Sequence, residues 1–391
     1  MPIRCLHLFH SYLNVTQNWS FNLLSELQDA EVVIAAREYQ KRNFYNPDFE
    51  YIEFPILLLP SHPINWGKTI YNKFARAARS AFYQQYIAGN AVPVDLIHSH
   101  FATVGWEHLK VVRRLRVPHL VSFYGYDYER LPQTVPIWRR RYRKLFREAD
   151  IFLCEGTHAA SLLERQGCPP ERIRVARLGV RTGNIEVAPR TKQPGELHLV
   201  QVASMTEKKG HVYALQAFLR ASEGCPNTTL TFVGSDKAGE GNGISAQLRQ
   251  TVVQAGLEDR VIFIPGIDFA HLHRFLAEYH VFLHPSVYAT NRDSEGGAPI
   301  VLLDAQATGM PVIATTHCDI PDEVVDGTTG LLAAERDVET LAHHIRRFYE
   351  MGQEEYDGFA AAARNHVEKN YDIRQNAAGL RRIYDEVLAR R

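Results

Sequence analysis

Paired cysteines are missing from this 391-residue sequence. Its five thiols, Cys5, Cys154, Cys168, Cys225 and Cys318, are scattered, with no Cys-x-x-Cys spacing. That argues against a disulfide framework and a structural zinc module, and for a reducing compartment. No basic-then-apolar leader opens the chain, and no apolar run approaches the roughly 18–20 residues of a spanning helix. The expected location is therefore cytoplasmic. No glycine fingerprint follows the first strand; the loop from His10 to Asn18 is polar, so a nicotinamide or flavin cofactor is not expected there. There is no Asp-x-Asp either, Asp293-Ser-Glu295 being the nearest pattern. Net charge is zero, but unevenly spread. Residues 1–180 hold 23 Lys and Arg against 16 Asp and Glu, a net of +7, and the remainder carries −7. A basic half beside an acidic half points the first half toward an anionic partner, such as a membrane surface or a phosphate-bearing acceptor. Solvated helix faces are the competing reading.

What the chain does have is one dense stretch, Asn291-Arg-Asp-Ser-Glu-Gly-Gly-Ala-Pro-Ile-Val-Leu-Leu-Asp304, followed by Ala-Gln-Ala-Thr-Gly309 and an apolar strand. Gly296 and Gly297 let backbone N–H groups approach a ligand closely. Pro299 suits a first helical position, and Gly309 a left-handed stop. The helix start then presents free N–H groups and a partial positive charge, an anion site. Glu295 stands just outside it. Asp304 lies about 7.5 Å further along the axis, and its side chain leans back toward the start. An anion between two carboxylates suits a nucleoside diphosphate sugar, with phosphate on the amides, ribose on one acid and the sugar on the other. A plain Gly-Pro turn capping a buried helix is the alternative.

Strands alternate with helices along the rest of the chain, which predicts α/β architecture with parallel sheets. Residues 3–9 read as the first strand, and the loop after it places His10, Ser11, Asn14 and Asn18 where such sheets bind ligands. Residues 66–87 carry Lys68, Lys73, Arg76 and Arg79 at helical spacing, suited to a membrane surface or to ordinary packing. In Val94-Asp-Leu-Ile-His-Ser-His100 the two histidines face one side of a strand. With no ligand cluster beside them no metal is expected, and a catalytic or acceptor-binding His100 is the favoured reading. Tyr124-Gly-Tyr-Asp127 is a glycine turn exposing a phenol and a carboxylate. The basic run Arg139 to Lys144, with Arg147, reads as a helix. Residues 183–195 are a polar linker. Beyond it the pattern restarts, and Lys208 and Lys209 open a helix as phosphate contacts. Two α/β halves, residues 1–182 and 196–366, leave a cleft between them.

Together these motifs resemble the retaining, GT-B-fold glycosyltransferases that use nucleotide sugars, in the branch that builds bacterial exopolysaccharides. The resemblance is strongest in Lys208-Lys-Gly210, Phe232-Val-Gly234, His284-Pro-Ser286, the Glu295 segment and His317 to Asp322. It implies two Rossmann-like doubly wound domains: residues 1–182 for the acceptor, and 196–366 for the donor. Residues 367–391 are then a helix returning to the first domain. It also implies a hexosyltransferase that needs no metal or other cofactor and does not bind nucleic acid. Lys209 would hold the diphosphate, assisted by Ser204, Gly234, Pro299 and the amides of Gly296, Gly297 and Ala298. Glu295 would face the transferred sugar, Asp304 the ribose, and His100 would join Glu295 and Lys209 in catalysis. His10, Ser11, Asn14, Asn18, Tyr124 and Asp127 would meet a glycan or lipid-linked acceptor. Three features depart from the family pattern. The carboxylates are spaced Glu295-x8-Asp304 rather than Glu-x7-Glu, Ser204 stands where an arginine is usual, and Tyr124 stands where a histidine is. A nucleotide-sugar 2-epimerase of the same architecture and a non-catalytic nucleotide-sugar binder are the rival readings.

Overall fold

The computed structural model describes residues 2–13, 18–40, 45–53, 84–90, 93–236, 243–297 and 299–390. The first sheet contains β1 (Ile3–Tyr12), β2 (Ala30–Tyr39), β3 (Glu50–Glu53), β4 (Leu96–His100), β5 (His119–Ser122), β6 (Ile151–Cys154) and β7 (Ile173–Val175), in the order β3-β2-β1-β4-β5-β6-β7. The second contains β8 (Leu197–Val202), β9 (Thr228–Val233), β10 (Val261–Ile264), β11 (Val281–His284), β12 (Val312–Thr315) and β13 (Gly330–Ala333), in the order β10-β9-β8-β11-β12-β13. Among the described residues every strand pair is parallel. Runs such as Ile151-Phe-Leu-Cys154 and Val281-Phe-Leu-His284 are buried throughout, as strands covered by helices on both faces must be.

Strand order reverses between β1 and β4 in the first lobe, and between β8 and β11 in the second. Parallel sheets bind ligands outside the carboxyl ends of strands at such reversals. In the second lobe the segments leaving those strands carry Lys208 and Lys209 after β8, and Ser286 to Glu295 after β11.

The first strand is longer than its apolar run suggested, so His10 and Ser11 belong to β1 rather than to a loop. Alternation then decides where they point. Leu6 and Leu8 pack with Val104 and Val111 of the Ala102–Leu115 helix, while Cys5 and Phe9 share a core with the last helix of the chain. That last helix, Ile373–Ala389, buries Ile373, Ala377, Leu380, Tyr384 and Val387 against first-lobe residues including Leu23 and Leu24. Those apolar side chains contribute roughly 1.5–3 kcal/mol each before entropy is counted. The chain crosses the hinge twice, and its two passes are joined where Val180 exchanges backbone hydrogen bonds with Tyr371 and Ile373. Residues 68–79 of the expected basic helix, and 237–242 of the glycine-rich loop, lie outside the described residues.

Candidate functional site

In the second lobe, Lys209 closes a short turn, Glu207–Lys209, between β8 and the His211–Ser222 helix. Gly210 ends that turn at φ 69°, and a Cβ there would lie 1.8 Å from the Pro285 carbonyl oxygen. Glycine is thus required both for the turn and for the approach of the segment after β11. Lys209 Nζ is 2.7 Å from Glu295 Oε2. The other carboxylate oxygen accepts from Ser286 Oγ at 2.9 Å and lies 3.3 Å from His284 Nε2. Burial opposes ionisation of Glu295, but Lys209, then His284 and Lys208, more than offset it and hold the carboxyl well below its usual range. Lys208 fastens the same loop, its ammonium 2.8 Å from the Ser294 carbonyl oxygen. The Glu295 N–H donates to His317 Nε2 at 3.1 Å, which leaves the His317 Nδ1–H to donate to Glu335 Oε1 at 2.6 Å. A charged carboxylate is therefore held by Lys209, Ser286 and His284, with its backbone fixed by His317.

The helix after this loop is Ile300–Ala307, with Pro299 as its extended cap rather than its first residue, and no side chain caps it. Gly309 follows at φ 76°, the expected left-handed stop. Gly296 has φ 73°, and its Cβ would fall 1.9 Å from Gly125 Cα, so the two lobes meet backbone to backbone there. A Cβ on Gly297 would strike the Glu155 carboxyl, which comes from the end of β6 in the first lobe. Burial, then Asp319 and Asp127, push the Glu155 carboxyl up to about 8. Asp304 is buried and 2.8 Å from His273 Nε2. Burial raises its pKa, with His273 opposing. Both side chains line an inter-lobe pocket of about 340 Å³, with Phe269, Trp19 and Arg181 on other walls. Ser204 is exposed at the end of β8. Gly234 packs on the Ala203 carbonyl, too close for any side chain. Ala298 lies outside the described residues.

The first-lobe candidates divide. His100 is not presented to the cleft as a catalytic group. It is buried, with Nδ1 2.9 Å from the Tyr124 hydroxyl and Nε2 3.1 Å from His7 Nδ1, and it stacks on Phe9 at 4.2 Å. Burial, then His98 and His7, hold it well below the usual imidazole range and so neutral. The parallel register that sets His7 opposite His98 brings these rings together. Tyr124 is half-buried above His100 and packs on Trp19 at 4.6 Å. Asp127 is a capping group rather than an acceptor contact. It is fully buried and accepts from the Ala102 and Tyr124 N–H groups at 3.1 and 3.2 Å. His10 faces the Ala102–Leu115 helix, 3.1 Å from Thr103 Oγ1, because it continues the Leu6–Leu8 face of β1. Ser11 is half-buried on the other face. Asn14 and the side chain of Asn18 lie outside the described residues.

Sequence reading missed the groups that join the lobes. Two second-lobe carboxylates cap the first-lobe helix Thr157–Arg165: Asp322 accepts from Thr157 N at 2.9 Å, and Asp319 from His158 N at 2.8 Å. Asp319 also presses on Gly156, where no Cβ would fit. Glu129 accepts from the Tyr288 hydroxyl across the cleft at 2.7 Å and lies 2.9 Å from His158 Nε2. Residues 159 and 165 positions apart meet here, which no local pattern discloses. The one available signal was the polar His317 to Asp322 segment.

A family model described as glycosyl transferases group 1 matches residues 185–366, and one described as glycosyltransferase family 4 matches residues 17–184. The putative colanic acid biosynthesis glycosyltransferase WcaL of Escherichia coli K12 is 30% identical over 281 residues, covering 71% of this chain and 67% of that protein. The amylovoran biosynthesis glycosyltransferase AmsK of Erwinia amylovora is 29% identical over 284 residues, 72% of this chain and 67% of its own. Among solved structures, HepE from Anabaena in complex with UDP and glucose superposes with a TM-score of 0.72 at 15% identity, covering 98% of this chain and all of that one. The two-lobed GT-B architecture is shared.

Proposed function

The chain belongs to the group 1 glycosyltransferases, and from that membership we propose that it moves a hexose, with retention of anomeric configuration, from a nucleoside diphosphate sugar to a hydroxyl of a glycan or lipid-linked acceptor in exopolysaccharide assembly. The observation that carries the reading is the Lys209–Glu295 pair at the second lobe's strand-order reversal, beside a helix start that no side chain caps. The similarity to colanic acid and amylovoran enzymes supports the pathway, and the UDP and glucose bound by HepE support a nucleotide-sugar donor.

In this reading the diphosphate takes Lys209 as its cation and lies against the Gly297 end of the helix. Charge accumulating on the departing phosphate is stabilised there, by about 3–4 kcal/mol per well-placed donor. Glu295 keeps Ser286 and His284 when Lys209 swings to phosphate, so it stays ionised and faces an oxocarbenium-like sugar. Asp304 and His273 bind ribose hydroxyls in the pocket beside Phe269. A lysine and helix amides take the place of a divalent ion at the diphosphate, so no metal is needed for transfer. The acceptor enters past Tyr124 and Trp19.

The setting is the cytoplasmic face of an anionic membrane. No helix of the described residues is long and apolar enough to cross a membrane. Arg140, Arg143 and Arg147 on the Ile137–Glu148 helix are exposed, beside exposed Ile137 and Val135, and suit a peripheral contact. A thermal-shift panel of nucleotide sugars, followed by transfer assays with the hit on wild type and Lys209→Ala, tests the proposal. Donor binding that Lys209→Ala leaves untouched would remove its basis.

A further inference from the structure

We propose that Glu129, His158 and Cys318 form a transition-metal site bridging the two lobes, zinc being the ion the donor set fits. The three ligand atoms, a carboxylate oxygen, an imidazole nitrogen and a thiol sulfur, lie within 4.8 Å of one another. His158 Nε2 is 2.9 Å from Glu129 Oε1, and Cys318 Sγ is 3.9 Å from the same oxygen. A tetrahedral zinc with ordinary bond lengths separates such ligands by roughly 3.3–3.7 Å, so the Glu129–His158 and Glu129–Cys318 separations need adjustments of only a few tenths of an ångström, and His158 and Cys318 close from within 4.8 Å. The Tyr288 hydroxyl lies beside the three, 3.7 Å from the sulfur and 2.7 Å from Glu129 Oε1.

The chemistry of the donors selects the ion. A thiolate with an imidazole and one carboxylate favours zinc over magnesium or calcium, which take oxygen ligands. Binding exchanges the Cys318 S–H proton for a metal–sulfur bond and releases that proton to solvent. Glu129 is already ionised and accepts from His158 Nε2–H at 2.9 Å, so the neutral His158 ring shifts that proton to Nδ1 by exchange with solvent when Nε2 takes the ion. His158 is partly exposed and gives the ion a way in, while Glu129 and Cys318 are nearly buried.

The site has a consequence for the cleft. Two of its ligands belong to the first lobe and the third to the second, so a bound ion ties the lobes in their closed arrangement. The site adjoins the Glu295 loop, Cys318 Sγ lying 3.3 Å from the His317 nitrogen that accepts the Glu295 N–H, but it supplies no group to transfer. Its expected effect is to slow the opening through which nucleotides exchange.

The test uses the full chain stripped of metal with a chelator. Cobalt(II) chloride is titrated as a spectroscopic probe, and zinc chloride is titrated in competition with it. Wild type should take up one cobalt with a sulfur-to-metal charge-transfer band, which one equivalent of zinc abolishes. Cys318→Ser should lose the band and weaken zinc at least about 100-fold, since even outer-shell partners are worth about 10–100-fold. His158→Ala, at a partly exposed position, provides a second variant that keeps the thiol and should weaken zinc comparably. Wild type without a thiolate band, or zinc held equally by Cys318→Ser or by His158→Ala, overturns the proposal.

Discussion

Replacing Glu295 by Gln removes one charge and leaves the shape of the site nearly unchanged. Lys209 Nζ and Glu295 Oε2 are 2.7 Å apart. At an effective dielectric of 20 that contact carries about 6 kcal/mol of Coulomb attraction. An incoming diphosphate must take Lys209 away from this partner. Most of the 6 kcal/mol is recovered in the new lysine–phosphate contact and in solvation, since Lys209 is partly exposed. A residue of about 1–2 kcal/mol is left as the penalty the donor meets in wild type. Glu295→Gln removes the competition, so a nucleoside diphosphate without its sugar should bind about 10-fold tighter, or about 1.4 kcal/mol. Lys209→Met should weaken the same ligand by about 2–4 kcal/mol. Transfer should fall in both variants, because Glu295→Gln also removes the charge that faces the oxocarbenium-like sugar. Calorimetric titration of UDP, GDP and ADP into the three proteins separates the two effects. Looser diphosphate binding by Glu295→Gln, or unchanged binding by Lys209→Met, would refute the reasoning.

Asp322→Ala removes a cap that one lobe places on a helix of the other, worth about 1 kcal/mol. The ligand-free protein should open, with a larger radius of gyration in solution scattering, and an unchanged radius would rule out a latch. Tyr384→Phe deletes the 2.7 Å bond to His98 that ties the last helix to the first lobe. It leaves a buried imidazole nitrogen unpaired at about 1–3 kcal/mol, so calorimetry should record a Tm lower by a few degrees; an unchanged Tm would count against that tie. Glu155 has a folded-state pKa of about 8, above its ordinary 4.5. The folded chain therefore keeps a proton that the unfolded chain loses, and stability present below about pH 4.5 is lost as pH rises toward 8. Glu155→Gln carries no such term. Its Tm should match wild type near pH 5 and exceed it at pH 8, by the equivalent of about 2 kcal/mol once partial exposure is discounted. A gap that does not change with pH would show that Glu155 is not held protonated.

The pairing of Lys209 with Glu295 was legible because its signals are local. The glycines, Glu295, Asp304 and the two lysines lie within short segments whose strand–loop–helix order can be read directly, and parallel topology brings both segments to one strand-order reversal. The first half depended on faces. Three more residues of β1 than its apolar run suggested turn His10 from a loop residue into one that continues the Leu6–Leu8 face. Asp127 follows a glycine turn of the kind that exposes side chains, yet the Tyr124 amide of the same turn and the Ala102 amide from 25 residues away draw its carboxylate inward. Which side chain a distant amide recruits depends on the assembled sheet, and the residues around Asp127 carry no trace of it.

The same argument explains why His100 looked catalytic. Its spacing from His98 correctly predicts a shared face, but His7, Phe9 and Tyr124 enclose His100 there, and the returning helix covers His98 through Tyr384, 286 residues away. A polar strand end is open to ligand only if nothing later in the chain covers it. In the second lobe the segments leaving β8 and β11 lie across the cleft from the other lobe, and among the described residues Gly125 and Glu155 of that lobe come closest to Gly296 and Gly297. Both belong to the lobe that would carry the acceptor. The two lobes therefore touch at Gly296 and Gly297, backbone to backbone at the first and through the Glu155 carboxyl at the second. Substitutions at Gly125 or Gly297 should consequently impair closure as much as binding. Gly125→Ala tests this, because its Cβ would lie 2.4 Å from Gly296 Cα in the closed form. The variant should scatter as an open molecule and lose transfer, while still binding a nucleoside diphosphate to the second lobe. A closed, active Gly125→Ala would mean that this backbone contact does not define the working state.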